Sequence, residues 1–192
     1  WRSARLLVTD EFTAPPVILR VDDSVIGTLG NFSASTGKAK SKKTFNVCAI
    51  VAAAMTGGTV LNYSASLPPE KRRILYVDTE QSRFHCKRVL CRILRLAGLP
   101  TDVHPPLLEF LCLRGYATKE RLRKIEEAIY DLDDLGLVVI DGIRDLAHDI
   151  NSPGEATDLI TKLMQWTDER KIHIHTVLHL NKGDDNTRGH LG

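Results

Sequence analysis

Leu137-Val138-Val139-Ile140-Asp141 is the most strand-like run in the chain. Four bulky apolar residues in a row suit a strand buried on both faces, which is the habit of parallel sheets. Elements of helical period lie on either side of it. Lys119 to Leu132 carries Leu122, Ile125, Ala128, Ile129 and Leu132 on one helical face. Ser152-Pro153-Gly154-Glu155 has the form of a capping box with proline at the first helical position. The helix it opens shows Ala156, Leu159, Ile160, Leu163 and Met164 on one side. Strands are expected next at Leu107 to Leu113 and Ile172 to Leu178. Ile74-Leu75-Tyr76-Val77, closed by Asp78, reads as another buried strand, followed by a helix through Cys86, Val89, Leu90, Ile93, Leu94 and Ala97 that ends at Gly98.

Toward the N-terminus, Val25 to Ala34 reads as a glycine-containing strand. A helix from about Lys43 to Met55 stops before Gly57-Gly58, and 62–73 reads as a polar loop. Residues 1–24 are expected to form an arm and hairpin, and 25–192 the core. Strands alternate with helices, which predicts an α/β fold with a doubly wound, mostly parallel sheet.

Composition narrows the function. Of 192 residues, 43% are apolar and 26% charged, the usage of a globular chain. No run reaches the ~18 apolar residues of a membrane span, so no membrane partner is expected. Basic and acidic residues balance at 26 against 24, which excludes a global basic field for nucleic acid but not a local patch. Cysteines 48, 86, 91 and 112 include no C-x-x-C pair. That spacing disfavours a zinc knuckle or a disulfide framework and suits a reducing cytoplasm.

The chemistry gathers at strand ends. Gly37-Lys38-Ala39-Lys40-Ser41-Lys42-Lys43-Thr44 follows the first strand. Gly37, Lys43 and Thr44 fall on the phosphate-loop (Walker A) pattern G-x-x-x-x-G-K-[ST], and Lys42 stands where its second glycine belongs. Such a loop turns backbone N–H groups inward, here around Ser41 and Lys42. It offers a lysine to the outer phosphates of ATP and a hydroxyl to Mg²⁺. A solvated lysine-rich loop would read the same way. Asp141 fits the second (Walker B) signature, an aspartate ending an apolar strand and supporting Mg²⁺, although many buried strands end in Asp at a turn. Asp145 reads as a solvated helix charge. Glu80, just past Asp78, is placed to deprotonate an attacking water, or merely to complement a helix N-terminus that Ser82 could cap.

His173, His175 and His179 share parity on one strand. Imidazoles two apart can chelate a metal, but no carboxylate or cysteine completes a site locally. His173 and His175 read as half-buried strand residues, while His179 sits at the strand end. Lys182 to Arg188 reads as a polar loop.

With these residues in order, the chain resembles the RecA-like ATPases, most closely the hexameric RepA-type branch, through His179-x-Asn181-Lys182 and Arg188-Gly189. The segments GTLGNFSASTGKAKSKKTF, LYVDTEQS, VVIDGIRDL and HTVLHLNKG are also similar to ATPase-like excision or mobilization proteins of mobilizable genetic elements. The resemblance, over residues 25–192, implies a P-loop core in which strand 172–178 lies between the phosphate-loop strand and strand 137–141. It implies that the chain stops before the family's usual last strands. By position it gives Gly37, Lys43 and Thr44 the phosphates and Mg²⁺, Asp141 support of Mg²⁺, Glu80 the role of base and His179 that of γ-phosphate sensor. Lys182 and Arg188 would reach a neighbour's nucleotide in a homo-oligomer such as a hexamer. The expected function is Mg-dependent ATP hydrolysis in DNA excision or mobilization. Two alternatives stay open: a nucleotide switch without hydrolysis, and a DNA-binding accessory protein whose lysines 38, 40, 42 and 43 contact DNA phosphates.

Overall fold

The computed structural model describes residues 1–38, 43–147 and 153–180. After an exposed arm come β1 (Val17–Val21), β2 (Ser24–Thr28), β3 (Phe32–Lys38), α1 (Lys43–Thr56), β4 (Thr59–Val60) and β5 (Tyr63–Ala65). Then follow β6 (Arg73–Asp78), α2 (Arg83–Leu96), β7 (Leu108–Cys112), α3 (Thr118–Asp131), β8 (Leu135–Asp141), α4 (Pro153–Arg170) and β9 (His173–Leu180).

Two sheets form among the described residues. The larger is parallel, in the order β3-β9-β8-β6-β7. The last of the described strands, β9, is inserted between β3 and β8, as expected. The strands' side chains alternate between two cores. Ile74, Tyr76, Leu137, Val139 and Val177 face a core shared with α1 and α2. Leu75, Val77, Val138, Ile140 and Ile174 face one built with α3 and α4. Both faces are thus covered by helices, the doubly wound arrangement.

The smaller sheet is antiparallel, in the order β2-β1-β5-β4. It corrects two expectations. The run 25–34 is two strands, because the chain turns at Gly30, whose φ of +78° suits glycine. The stretch 62–73 contains β5 and a short 3₁₀ turn at Pro69–Lys71, not only loop. The reason lies in α1, whose residues 47–55 are all buried. A helix apolar all round needs cover beyond the main sheet, and Ile18, Leu19 and Ala65 of the small sheet join its core.

The two strand histidines are more buried than expected: His173 is 1% exposed and His175 3%. Ser33 Oγ lies 2.8 Å from both His173 Nε2 and His175 Nδ1, Ser35 Oγ lies 2.9 Å from His175 Nε2, and His173 Nδ1 lies 2.9 Å from the Thr28 carbonyl. That carbonyl only accepts, so Nδ1–H of His173 donates to it. The rest follows in one direction. Ser33 donates to His173 Nε2, His175 Nδ1–H donates to Ser33, and Ser35 donates to His175 Nε2. Every ring nitrogen is satisfied with both imidazoles neutral. Burial lowers the pKa of both, His175 to about 4. Glycine is needed where β2 passes this chain, since a Cβ on Gly27 would lie 3.0 Å from His173 Nε2. No helix of the described residues is long and apolar enough to cross a membrane.

Candidate active site

The parallel strands end together, and α1 starts beside them at Lys43, as the register placing Lys43-Thr44 at the helix start requires. Lys43 is buried, and its Nζ donates to the Gly37 carbonyl at 2.5 Å. Burial draws its pKa down, while the charges of Asp141 and Glu80 push it back up. Thr44 Oγ1 donates to Asp141 Oδ2 at 3.2 Å. Asp141 is 4% exposed and accepts a second bond on the same oxygen, from the Tyr76 hydroxyl at 3.0 Å. Tyr76 is itself fixed by stacking on Phe110, with ring centroids 4.6 Å apart. Sequence reasoning assigned no role to Tyr76. Its signal is parity: it shares a face with Asp78 on β6, and Asp78 is paired with Asp141.

Asp78 shapes the next loop rather than facing solvent. It is fully buried, and its Oδ1 accepts the N–H groups of Glu80 and Gln81 at 3.0 and 2.7 Å, while Oδ2 accepts Gln81 Nε2 at 2.9 Å. This turn carries Glu80 into the cleft. Glu80 is an exposed side chain, yet its pKa is raised to about 7. Partial desolvation within the cleft leads that shift, followed by the charges of Asp145, Asp141 and Asp78, with Lys43 opposing. A carboxylate titrating near neutrality is matched to proton transfer at physiological pH.

Two expectations are corrected here. Asp145, expected as a solvated helix charge, is half-buried in a 3₁₀ turn, with Oδ2 2.9 Å from the Thr79 hydroxyl. That hydroxyl accepts the Gly142 N–H at 3.0 Å and lies 2.8 Å from the Gly142 carbonyl. Thr79 thus ties the Glu80 loop to the turn after Asp141. Ser82 is the N-cap residue of α2 without a side-chain cap bond, because its hydroxyl pairs with His85 Nδ1 at 3.0 Å.

Thr44, Asp78, Glu80 and Asp141 line one cleft of about 310 Å³. Its other wall is α2, through His85, Arg88 and Arg92. Burial pushes the pKa of the Cys48 thiol, one turn beyond Thr44, up to about 11, with the nearby Arg92 opposing the rise. Sequence reasoning did not single out His85, Arg88 and Arg92. Their spacing, i, i+3 and i+7, places them on one side of a helix with no acidic residue. The cleft therefore sets acids and a magnesium-type oxygen pair opposite cations, which suits a metal-bound polyanion. Thr44 Oγ1 and the Asp141 carboxylate are hard oxygen donors. They fit Mg²⁺, an ion that takes few protein ligands and keeps water or phosphate for the rest. Among the described residues no group of three or more His, Cys, Asp or Glu side chains is placed to hold a metal ion.

His179 pairs with Gly37 through the backbone, at the end of β9 next to the phosphate-loop strand. Its side chain, and all of Ser41, Lys42, Lys182 and Arg188, lie outside the described residues, as does the serine of the expected Ser152 cap.

A family model described as an AAA domain matches residues 4–185. The chain belongs to that family. The crystal structure of the RadB recombinase is similar to this AAA domain, with a TM-score of 0.54 and 17% identity over 83% of this chain. At that identity the likeness carries the fold, a RecA-like P-loop core, and this chain spans 66% of that protein's length. No curated protein matches the sequence.

Proposed function

We propose that this AAA domain is an Mg-dependent ATPase acting in DNA excision or mobilization of a mobile genetic element. The observation that carries the ATPase reading is the convergence of Thr44, Asp141 and Glu80 on one cleft, with the buried Lys43 within reach of the charges of both acids. Thr44 and Asp141 would hold Mg²⁺, which when bound neutralises charge on the phosphate oxygens. Lys43 exchanges the Gly37 carbonyl for phosphate oxygen. Glu80 accepts a proton from the water that attacks the γ-phosphorus, and ADP leaves in line. The role in element transfer rests on the sequence resemblance, which also gives His179 the γ-phosphate and Lys182 and Arg188 a neighbouring subunit's nucleotide. The burial of Lys43 and its bond to Gly37 favour the nucleotide reading over a lysine row spread on DNA.

Turnover of ATP with and without Mg²⁺ and DNA tests the proposal. Phosphate release that needs Mg²⁺ and rises with DNA is expected. Mg-dependent binding without turnover would instead identify a switch. DNA binding that ATP neither alters nor requires would identify the accessory protein.

A further inference from the structure

Behind the Glu80 loop, two thiols meet on one backbone oxygen. Cys86 Sγ, in the first turn of α2, donates to the Gln81 carbonyl at 3.5 Å, and Cys112 Sγ, at the end of the edge strand β7, donates to the same oxygen at 3.5 Å. Burial, the neighbouring Cys112 thiol and the Asp78 carboxylate together push the pKa of the Cys86 thiol up. Cys86 is buried and Cys112 half-exposed, and both are free. Gln81 follows Glu80 directly, so this dithiol braces the loop from behind while Asp78 braces it from below. The absence of a metal-ligating cluster among the described residues favours sulfur–sulfur chemistry over chelation.

We propose that Cys86 and Cys112 form a reversible disulfide with a small-molecule disulfide as oxidant, and that its formation slows turnover by displacing Glu80. The half-exposed Cys112 thiolate attacks one sulfur of R–S–S–R, expelling R–S⁻ and leaving a mixed disulfide. The Cys86 sulfur then attacks the Cys112 sulfur, expelling the second R–S⁻. Two electrons pass from the cysteines to the small disulfide, and both thiol protons leave on two R–SH. Burial raises the Cys86 thiol's pKa, which keeps the resting pair slow to react. Holding both sulfurs against one carbonyl oxygen supplies the effective concentration for the second step. Once joined, neither sulfur has a proton for the Gln81 carbonyl, and α2 is drawn toward β7. The effect on turnover rests on the ATPase reading; the bond itself does not.

The test incubates the protein with oxidised glutathione and then counts thiols after denaturation. The four thiols should fall to two, with mass spectrometry finding Cys86 joined to Cys112 and two hydrogens lost. ATP turnover should fall roughly tenfold, the scale of a sub-ångström misplacement of a reacting group, and return with dithiothreitol. Cys112→Ser, which keeps a donor for Gln81, should turn over normally and resist the oxidant. Glutathione adducts without the Cys86–Cys112 link would overturn the proposal, as would a link that leaves turnover unchanged. A protein that forms the link but has no turnover when reduced would refute the ATPase reading and leave the thiol chemistry standing.

Discussion

Glu80 shows how one residue can carry opposite demands of stability and chemistry. Its carboxyl titrates near 7, against an ordinary 4.5. Between those values the folded state holds a proton that the unfolded chain releases, so this group's contribution to stability falls as pH rises through the window. Glu80→Gln removes the effect. The variant is expected to melt higher than the parent at pH 8 and alongside it at pH 4.5, while turnover falls by about 10²–10⁴-fold with nucleotide binding retained. Calorimetry at the two pH values with a phosphate-release assay checks both halves, and a variant with unimpaired turnover would remove Glu80 from the mechanism. Parent turnover should also decline as pH drops below about 7, since the protonated carboxyl cannot accept the water's proton. Thr79 acts through its neighbours. Thr79→Val strands the buried Gly142 N–H, a loss of about 1–3 kcal/mol, and frees the Glu80 loop from the Asp141 turn. The expected signature is a lowered kcat with nucleotide affinity nearly unchanged, and recovery in Thr79→Ser. The strand-end acids were legible in the sequence because buried apolar runs closing on a carboxylate announce themselves. Tyr76, Thr79 and Asp145 were not, because their roles depend on which strand lies alongside which.

At the scale of elements, the parallel strands and their helices were legible through uninterrupted apolar runs and 3.6-residue spacing. The small antiparallel sheet was not, since β4 and β5 are only 2 and 3 residues long and have no period to read. The clue was indirect: α1 is apolar on every side, from Val47 to Met55, so something had to cover its outer face. The serine–histidine chain between β3 and β9 was hidden in the same way, because Ser33, Ser35, His173 and His175 align only once the parallel register is known. It has a measurable consequence. Unfolded imidazoles titrate near 6.5 and take protons that the buried, fully bonded pair refuses. The pair's contribution to stability is therefore expected to fall as pH drops from about 6.5 to about 4, His175 alone contributing on the order of 3 kcal/mol, opposite in sign to the Glu80 effect. Ser33→Ala unpartners both rings at once and should cost about 1–3 kcal/mol. Urea midpoints across pH measure both effects, taken in Glu80→Gln so that the opposite slope of Glu80 is absent; a flat profile between pH 6.5 and 4 in that background would contradict the neutral, one-directional chain.

For the whole molecule, the cleft is where separately folded parts meet: the start of α1, the loop after β6, the end of β8 and the outer side of α2. Without ligand, this junction crowds Asp78, Glu80, Asp141 and Asp145 together, with the buried Lys43 as a nearby cation. A nucleotide with Mg²⁺ would add positive charge among the acids and phosphate oxygens between Lys43 and the α2 arginines, joining all four parts. Binding to the folded state alone stabilises by mass action, by about 2.7 kcal/mol at a hundred times the dissociation constant. MgATP is thus expected to raise the melting temperature clearly, and ATP with EDTA much less. Mg²⁺ without nucleotide should also do little, because Thr44 and Asp141 offer it only part of a shell. Lys43→Ala should abolish the MgATP shift. An equal shift with EDTA, or one that survives Lys43→Ala, would mean that the nucleotide sits elsewhere on the molecule and that the convergence at the strand ends serves the fold alone.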